Sequence, residues 1–218
     1  MNDQERAEEH LKTIRRLMER ATIYRAISAP TALVGGLLSL AASAIYLRWF
    51  GDNAPDAPDY FIYLWLLVLV LTAAANTLFI VIGANKRHEP VFSPSMKAAL
   101  TALAPAFIAG AAFTFAFAAI GWDVLADLVM SIGWPVFYGL GLLATSHFAP
   151  RSLTLLGWAF LISSIVEMMV LRFGDHLPFI TPEIGNHLGI YFMAITFGLF
   201  HLIYAACTWP RNGAASEP

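Results

Sequence analysis

The chain has 218 residues, 58% hydrophobic and 13% charged, with a formal net charge of −2 and a mean hydropathy of +0.65. Soluble domains carry about 25% charged residues, so the composition excludes an ordinary soluble globular domain, and the small net charge favours no particular partner. The sole cysteine, Cys207, excludes an internal disulfide and a cysteine-built metal site.

Residues 3–26 come first and are too charged to cross a membrane. Ala7, Leu11, Ile14, Met18 and Ala21 recur at steps of three and four, a heptad-like stripe on a helix. Glu5, Glu8, Glu9, Lys12, Arg15, Arg16, Glu19 and Arg20 occupy the other faces. Glu8–Lys12 and Arg15–Glu19 stand four residues apart, opposite-charge pairs each worth about 0.2–0.5 kcal/mol on a helix. This amphipathic helix either lies solvated beside the membrane or docks, through Leu11, Ile14 and Met18, on a cytoplasmic partner or a second copy. Acids interrupt its basic residues, so nucleic-acid binding is not expected. No removable signal peptide is expected either, because the chain opens on charge and not on an apolar run with a cleavage site.

Six apolar spans follow, near 27–50, 60–84, 96–120, 123–146, 152–173 and 184–208, with a short tail at 209–218. Nearly uncharged runs of about 18 or more residues read as transmembrane helices, so the expected fold is an all-α integral membrane protein with the lipid bilayer as its solvent. Short connections make successive helices antiparallel neighbours. With the N-terminus inside, eleven basic residues (Arg6, Lys12, Arg15, Arg16, Arg20, Arg25, Lys86, Arg87, Lys97, Arg151 and Arg211) lie on the inner side and only Arg48 and Arg172 on the outer. The positive-inside rule then puts both termini in the cytoplasm and the chain in the plasma (inner) membrane. Tyr46, Trp49, Phe50, Tyr60, Tyr63, Trp65 and Trp122 form the expected outer aromatic belt.

Local signals support these limits. Ser93-Pro94 and Thr181-Pro182 read as helix starts, and Gly51 and Gly174 as left-handed caps after spans 1 and 5. Pro105 and Pro135 fall inside spans 3 and 4, where each removes one backbone hydrogen bond. Span 1 enters through Ala29-Pro30 and leaves through LRWFGD; span 5 enters through Ala149-Pro150 and leaves through LRFGD. LFIVI in span 2 and LFHLI in span 6 continue the echo, which reads either as parallel hairpin repeats of the kind found in transporters or as an accidental match between Leu-, Phe- and Gly-rich spans.

Small residues at four-residue spacing mark close helix contacts in lipid. They are Gly35, Ser39 and Ser43 in span 1, Ala102, Ala106, Gly110, Thr114 and Ala118 in span 3, and Gly133, Gly141 and Thr145 in span 4. Span 6 mixes small and titratable groups on one stripe, His187, Tyr191, Ala194, Gly198, His201 and Ala205, which should turn inward. Thr72 and Asn76 give span 2 a shorter polar face.

Glu167 is the one carboxylate well inside an apolar span, and ionisable groups at that depth are costly enough to be functional candidates. Ser163 and Ser164 lie one turn inward of it on roughly its face. Glu167 and Arg172, five residues apart, point in different directions, and Arg172 snorkels outward. His201 belongs nearer the inner side, so the two titratable groups stand at different depths. At the outer face, Arg48, Asp52, Arg172 and Asp175 recur in the LRxFGD echoes, and His176, Glu183 and His187 have side chains suited to a divalent cation. No phosphate loop, haem motif or nucleophile–base pair is visible, and nothing in the chain names a cofactor. Three functions fit: a sensor, anchor or regulatory membrane component working through residues 3–26; a small proton- or cation-linked transporter or channel using Glu167 and His201; and a metal-dependent enzyme at the outer face.

Overall fold

A computed structural model describes residues 6, 8–14, 28–49, 58–88, 90–92, 94–120, 126–174 and 187–209. Regular structure among these is helical throughout, with no strand. After a helical stretch at 8–14 come α1 (Ala29–Trp49), α2 (Pro58–Arg87), α3 (Pro94–Ile120), α4 (Ala126–Ala144), α5 (Arg151–Phe173) and α6 (Leu188–Thr208). Helices suit these segments because in lipid every backbone N–H and C=O must be satisfied within the chain. Five of them are long and apolar enough to cross a membrane; in α4 the apolar stretch Leu128–Ala144 is shorter than the 123–146 expected.

The helices do not share burial equally. α1, α5 and α6 bury a third or more of their residues within the protein, α2 and α3 almost none. α2 packs mainly on α1 and α3 on α4, while α2 and α3 share no extended seam. The expectation that every consecutive pair would be neighbours therefore fails at that one connection. Trp134 spans the gap from α4: its ring stacks on Phe61 of α2 at 5.9 Å, and its indole N–H donates to Thr114 Oγ1 of α3 at 2.7 Å.

Glycine sets the close crossings. A Cβ on Gly139 would stand 2.8 Å from the Gly157 carbonyl oxygen, and one on Gly157 3.1 Å from that of Gly139, so α4 and α5 meet backbone to backbone. α1 meets α6 in the same way, with a Cβ on Gly36 falling 2.9 Å from the Gly198 carbonyl oxygen. The small-residue row of α3 lies against α4, Gly110 on Phe137 and Ala106 near Gly141. Hydroxyls in the seams turn back onto their own helix, as Ser39 does onto the Gly35 carbonyl and Ser43 onto that of Ser39, leaving no polar hydrogen facing lipid.

Two apolar clusters fill the bundle. One gathers Tyr46, Phe61, Trp65, Met130, Ile190 and Met193; the other gathers Leu142, Leu153, Leu156, Phe160 and Tyr204. Phe197 of α6 packs against both. Tyr46 and Trp65 are buried here, which corrects their place in the aromatic belt; Trp49, Tyr60 and Tyr63 do face outward.

α6 also departs from a uniform helix. Leu188–Met193 and His201–Thr208 are α-helical, but Ala194–Phe200 is a π-helix. A stripe drawn at 3.6 residues per turn cannot hold one face through π turns. Gly198 inside the π segment and Ala205 after it are buried as expected, whereas before it Ile190 and Met193 face the core. Tyr191, one position on from Ile190, is turned out to 37% exposure, a correction to its inward placement. At the end of α5, Gly174 has φ −59° and ψ −34°, so the helical conformation runs on and the left-handed cap expected there is absent. Gly51 and the Thr181-Pro182 start lie outside the described residues.

The glycine crossing at α4–α5 is testable. Overpacking typically costs about 1–3 kcal/mol, so Gly139→Ala should lower the unfolding free energy in mixed micelles by that amount. Leu155→Ala, at a site 69% exposed on the same hairpin, should stay within about 0.5 kcal/mol. Equal effects would refute the close seam.

Candidate functional site

The α5 face toward α4 repeats at helical spacing: Phe160, Ser163, Ser164 and Glu167, all buried. Glu167 is 0% exposed, and so is Ser131 of α4. The Ser131 hydroxyl lies 2.5 Å from Glu167 Oε1 and 2.8 Å from the carbonyl oxygen of Leu128 in its own helix. One turn along the seam, the Ser164 hydroxyl reaches the Ile132 carbonyl of α4 at 3.2 Å and the Phe160 carbonyl of its own helix at 3.2 Å. Ser163 stays within α5, donating to the Phe160 carbonyl at 2.8 Å.

The α4 side of this seam is no ordinary helical turn. Pro135, fully buried, has no N–H to give the carbonyl of Ser131 four residues before it. The turn from Ser131 to Pro135 therefore offers α5 more acceptor capacity than a regular turn. Of the α5 side chains, Ser164 donates into this turn, at the Ile132 carbonyl.

Two turns along α4, Tyr138 makes the second polar contact. Its hydroxyl lies 2.9 Å from Nε2 of His201 in α6, and His201 Nδ1 lies 3.0 Å from the Phe197 carbonyl. A carbonyl only accepts, so Nδ1 carries the hydrogen and Nε2 accepts from tyrosine. Ser131 and Tyr138 are seven residues apart on one face of α4, about 10 Å along the axis at 1.5 Å per residue. Phe160, fully buried, adjoins the Tyr138–His201 pair, with its ring 4.8 Å from that of Tyr138, 5.1 Å from Phe197 and 5.6 Å from His201. Glu167 and His201 thus take different partners, two turns apart along α4.

The remaining candidates do not join this column. Asn76 Oδ1 accepts from Thr31 of α1 at 3.1 Å, and Tyr191 faces outward. Arg48 and Arg172 are exposed, the guanidinium of Arg172 lying 5.1 Å over the ring of Phe173. Leu11 and Ile14 are exposed on the N-terminal helix. Met18, Asp52, Asp175, His176 and Glu183 lie outside the described residues. His187 stands half-buried at the start of α6, and among the described residues no group of three or more His, Cys, Asp or Glu side chains is placed to hold a metal ion. Cys207 is exposed.

Ser131 and Tyr138 escaped sequence reasoning. A serine four positions before an intramembrane proline, with a tyrosine seven positions on along the same face, was the available signal.

Removing the tyrosine hydroxyl should expose the role of the second contact. Hydrogen bonds between helices in lipid are worth about 0.6 kcal/mol on average and at most about 1.7, so Tyr138→Phe should destabilise within that range. Nitrogen NMR of labelled His201 should show a single Nδ1–H tautomer, with an Nε2 resonance that moves in the variant as its hydrogen bond is lost. An unchanged Nε2 resonance would remove Tyr138 from the account. No family model, curated protein or solved structure matches this chain.

Proposed function

We propose that this chain is a regulatory component of the plasma (inner) membrane, a sensor or anchor without a catalytic role. It crosses the bilayer six times with both termini in the cytoplasm, as the distribution of Lys and Arg favours. The sixth crossing is α4. Its 19 residues extend about 28 Å at 1.5 Å per residue, against a hydrocarbon core of about 30 Å. It also lies between α3 and α5, both long enough to span. Residues 1–26 then form the docking element, 27–208 the membrane bundle and 209–218 a tail.

The observation that carries this reading is the state of the N-terminal helix. Leu11 and Ile14 are 66% and 53% exposed, on a stretch whose Glu8, Glu9 and Lys12 are exposed as well. Apolar side chains held on a solvated, charged helix suit a cytoplasmic partner or a second copy. The test compares the full chain with a Leu11→Glu, Ile14→Glu variant, by particle mass in solution and by mass spectrometry of what co-purifies. A self-association or a partner lost in the variant is the expected result; identical mass and identical co-purifying proteins would end the reading.

A second reading is supported by one specific contact, a fully buried carboxyl paired with a hydroxyl in the α4–α5 seam. It makes the chain a small proton- or cation-linked transporter or channel using Glu167, with His201 on the same path. Vesicles containing the protein should then show a proton or cation flux that Glu167→Gln removes. Flux that is absent, or unchanged in the variant, counts against it.

A further inference from the structure

We infer that Glu167 and Ser131 form a proton-binding site, in which the exchangeable ligand is a proton and not a metal cation. The inference rests on the reading that makes Glu167 the working carboxyl of a proton- or cation-linked membrane protein, and it chooses between those two ligands. The argument is a count of hydrogens. Ser131 Oγ stands within hydrogen-bond distance of two oxygens, Glu167 Oε1 at 2.5 Å and the Leu128 carbonyl at 2.8 Å. A serine hydroxyl has one hydrogen to give and two lone pairs to accept with. An ionised carboxylate and a carbonyl are both pure acceptors, so one hydrogen cannot serve both. A proton on Glu167 completes the set: the carboxylic O–H donates to Ser131 Oγ, and the Ser131 O–H donates to the Leu128 carbonyl. When the proton leaves for water, the O–H bond on Glu167 breaks with its electron pair left on the carboxylate, and the Ser131 hydrogen swings from the Leu128 carbonyl to that carboxylate.

A metal cation does not suit these side chains. Hard cations gather six or more oxygens, or an octahedral set. The hydroxyls of Ser163 and Ser164 point to the carbonyls of Phe160 and Ile132 and not to the carboxyl, and Glu167 and Ser131 are both fully buried at hydrogen-bonding distance. The other titratable groups on the helices packed against α5 are Asp127 and Tyr138 on α4 and Tyr191, His201, Tyr204 and Cys207 on α6, with His187 directly before it. Tyr138 and His201 satisfy one another, Tyr191 faces outward, and Arg151 and Arg172 of α5 itself are exposed.

Infrared spectroscopy of the full-length protein in lipid nanodiscs tests this directly. The expected result is a carboxylic C=O stretch that shifts in heavy water, disappears in Glu167→Gln, and moves to higher frequency in Ser131→Ala, where its hydrogen bond is lost. Should Glu167→Gln fail to fold, carbon-13-labelled glutamate together with Ser131→Ala makes the same assignment. The band should fade as pH rises and be unmoved by sodium or potassium at fixed pH. A Glu167 carboxylate signal at every pH tested, or an acid band displaced by added sodium, would overturn the inference. The transport reading fails separately, through absent flux in vesicles, and a proton site with no flux would leave the inference standing.

Discussion

The backbone contact between α4 and α5 at Gly139 and Gly157 is the constraint on which the rest of the bundle depends. In lipid there is little hydrophobic drive to press helices together, so their separation is set by what stands between them. With no side chain at either glycine, the two helices come close enough for short groups to bridge them. Ser131 reaches Glu167, Ser164 reaches the Ile132 carbonyl, and Tyr138 packs on Phe160. These contacts fall in step, each advance along α4 matched by a retreat along α5, which is the signature of one continuous antiparallel seam. A wider crossing would leave Glu167 without the serine opposite it, and each hydrogen bond that a buried carboxyl loses is costly in a membrane protein.

Irregular backbone accompanies both polar contacts of this column. Pro135 interrupts the hydrogen bonding of α4 one turn from Ser131, and the π segment Ala194–Phe200 ends directly before His201. Phe197, inside that segment, supplies the carbonyl that sets the His201 tautomer and packs against both apolar clusters. Breaks in regular helix at membrane depth are tolerated where protein covers them, and π turns recur at functional sites. The seam of α4, α5 and α6 is where this molecule concentrates its polar groups and its irregular backbone. α2 and α3, by contrast, lie on the flank and bury almost none of their residues.

Much of the architecture is legible in the chain because lipid imposes so simple a rule: long uncharged runs become helices, and small residues at four-residue spacing become seams. Gly110 against Phe137 and Gly198 against Leu40 follow from that rule. Glu167 is equally legible, as the one deep carboxylate. Its partner is not, since serines occur in several spans and only the packing of α4 on α5 selects Ser131. Tyr191 was misplaced because a stripe read at constant pitch runs straight through the π turns of α6. Tyr46 and Trp65 were assigned to the membrane surface by residue type, while the pairing of α1 with α2 turns both inward, Tyr46 onto Phe61 and Trp65 toward Phe197.

The pairing of Glu167 with Ser131 across this seam is the central claim, and a double-mutant cycle measures it most directly. Ser131→Ala and Glu167→Leu, made singly and together, would be read as unfolding free energies in mixed micelles. Removing one partner takes this hydrogen bond from the other, whereas removing both leaves no group that has lost it. The account therefore predicts a double variant less destabilised than the two single variants summed, by about 0.6–1.7 kcal/mol. Additivity to within about 0.3–0.5 kcal/mol, the behaviour of independent sites, would contradict it.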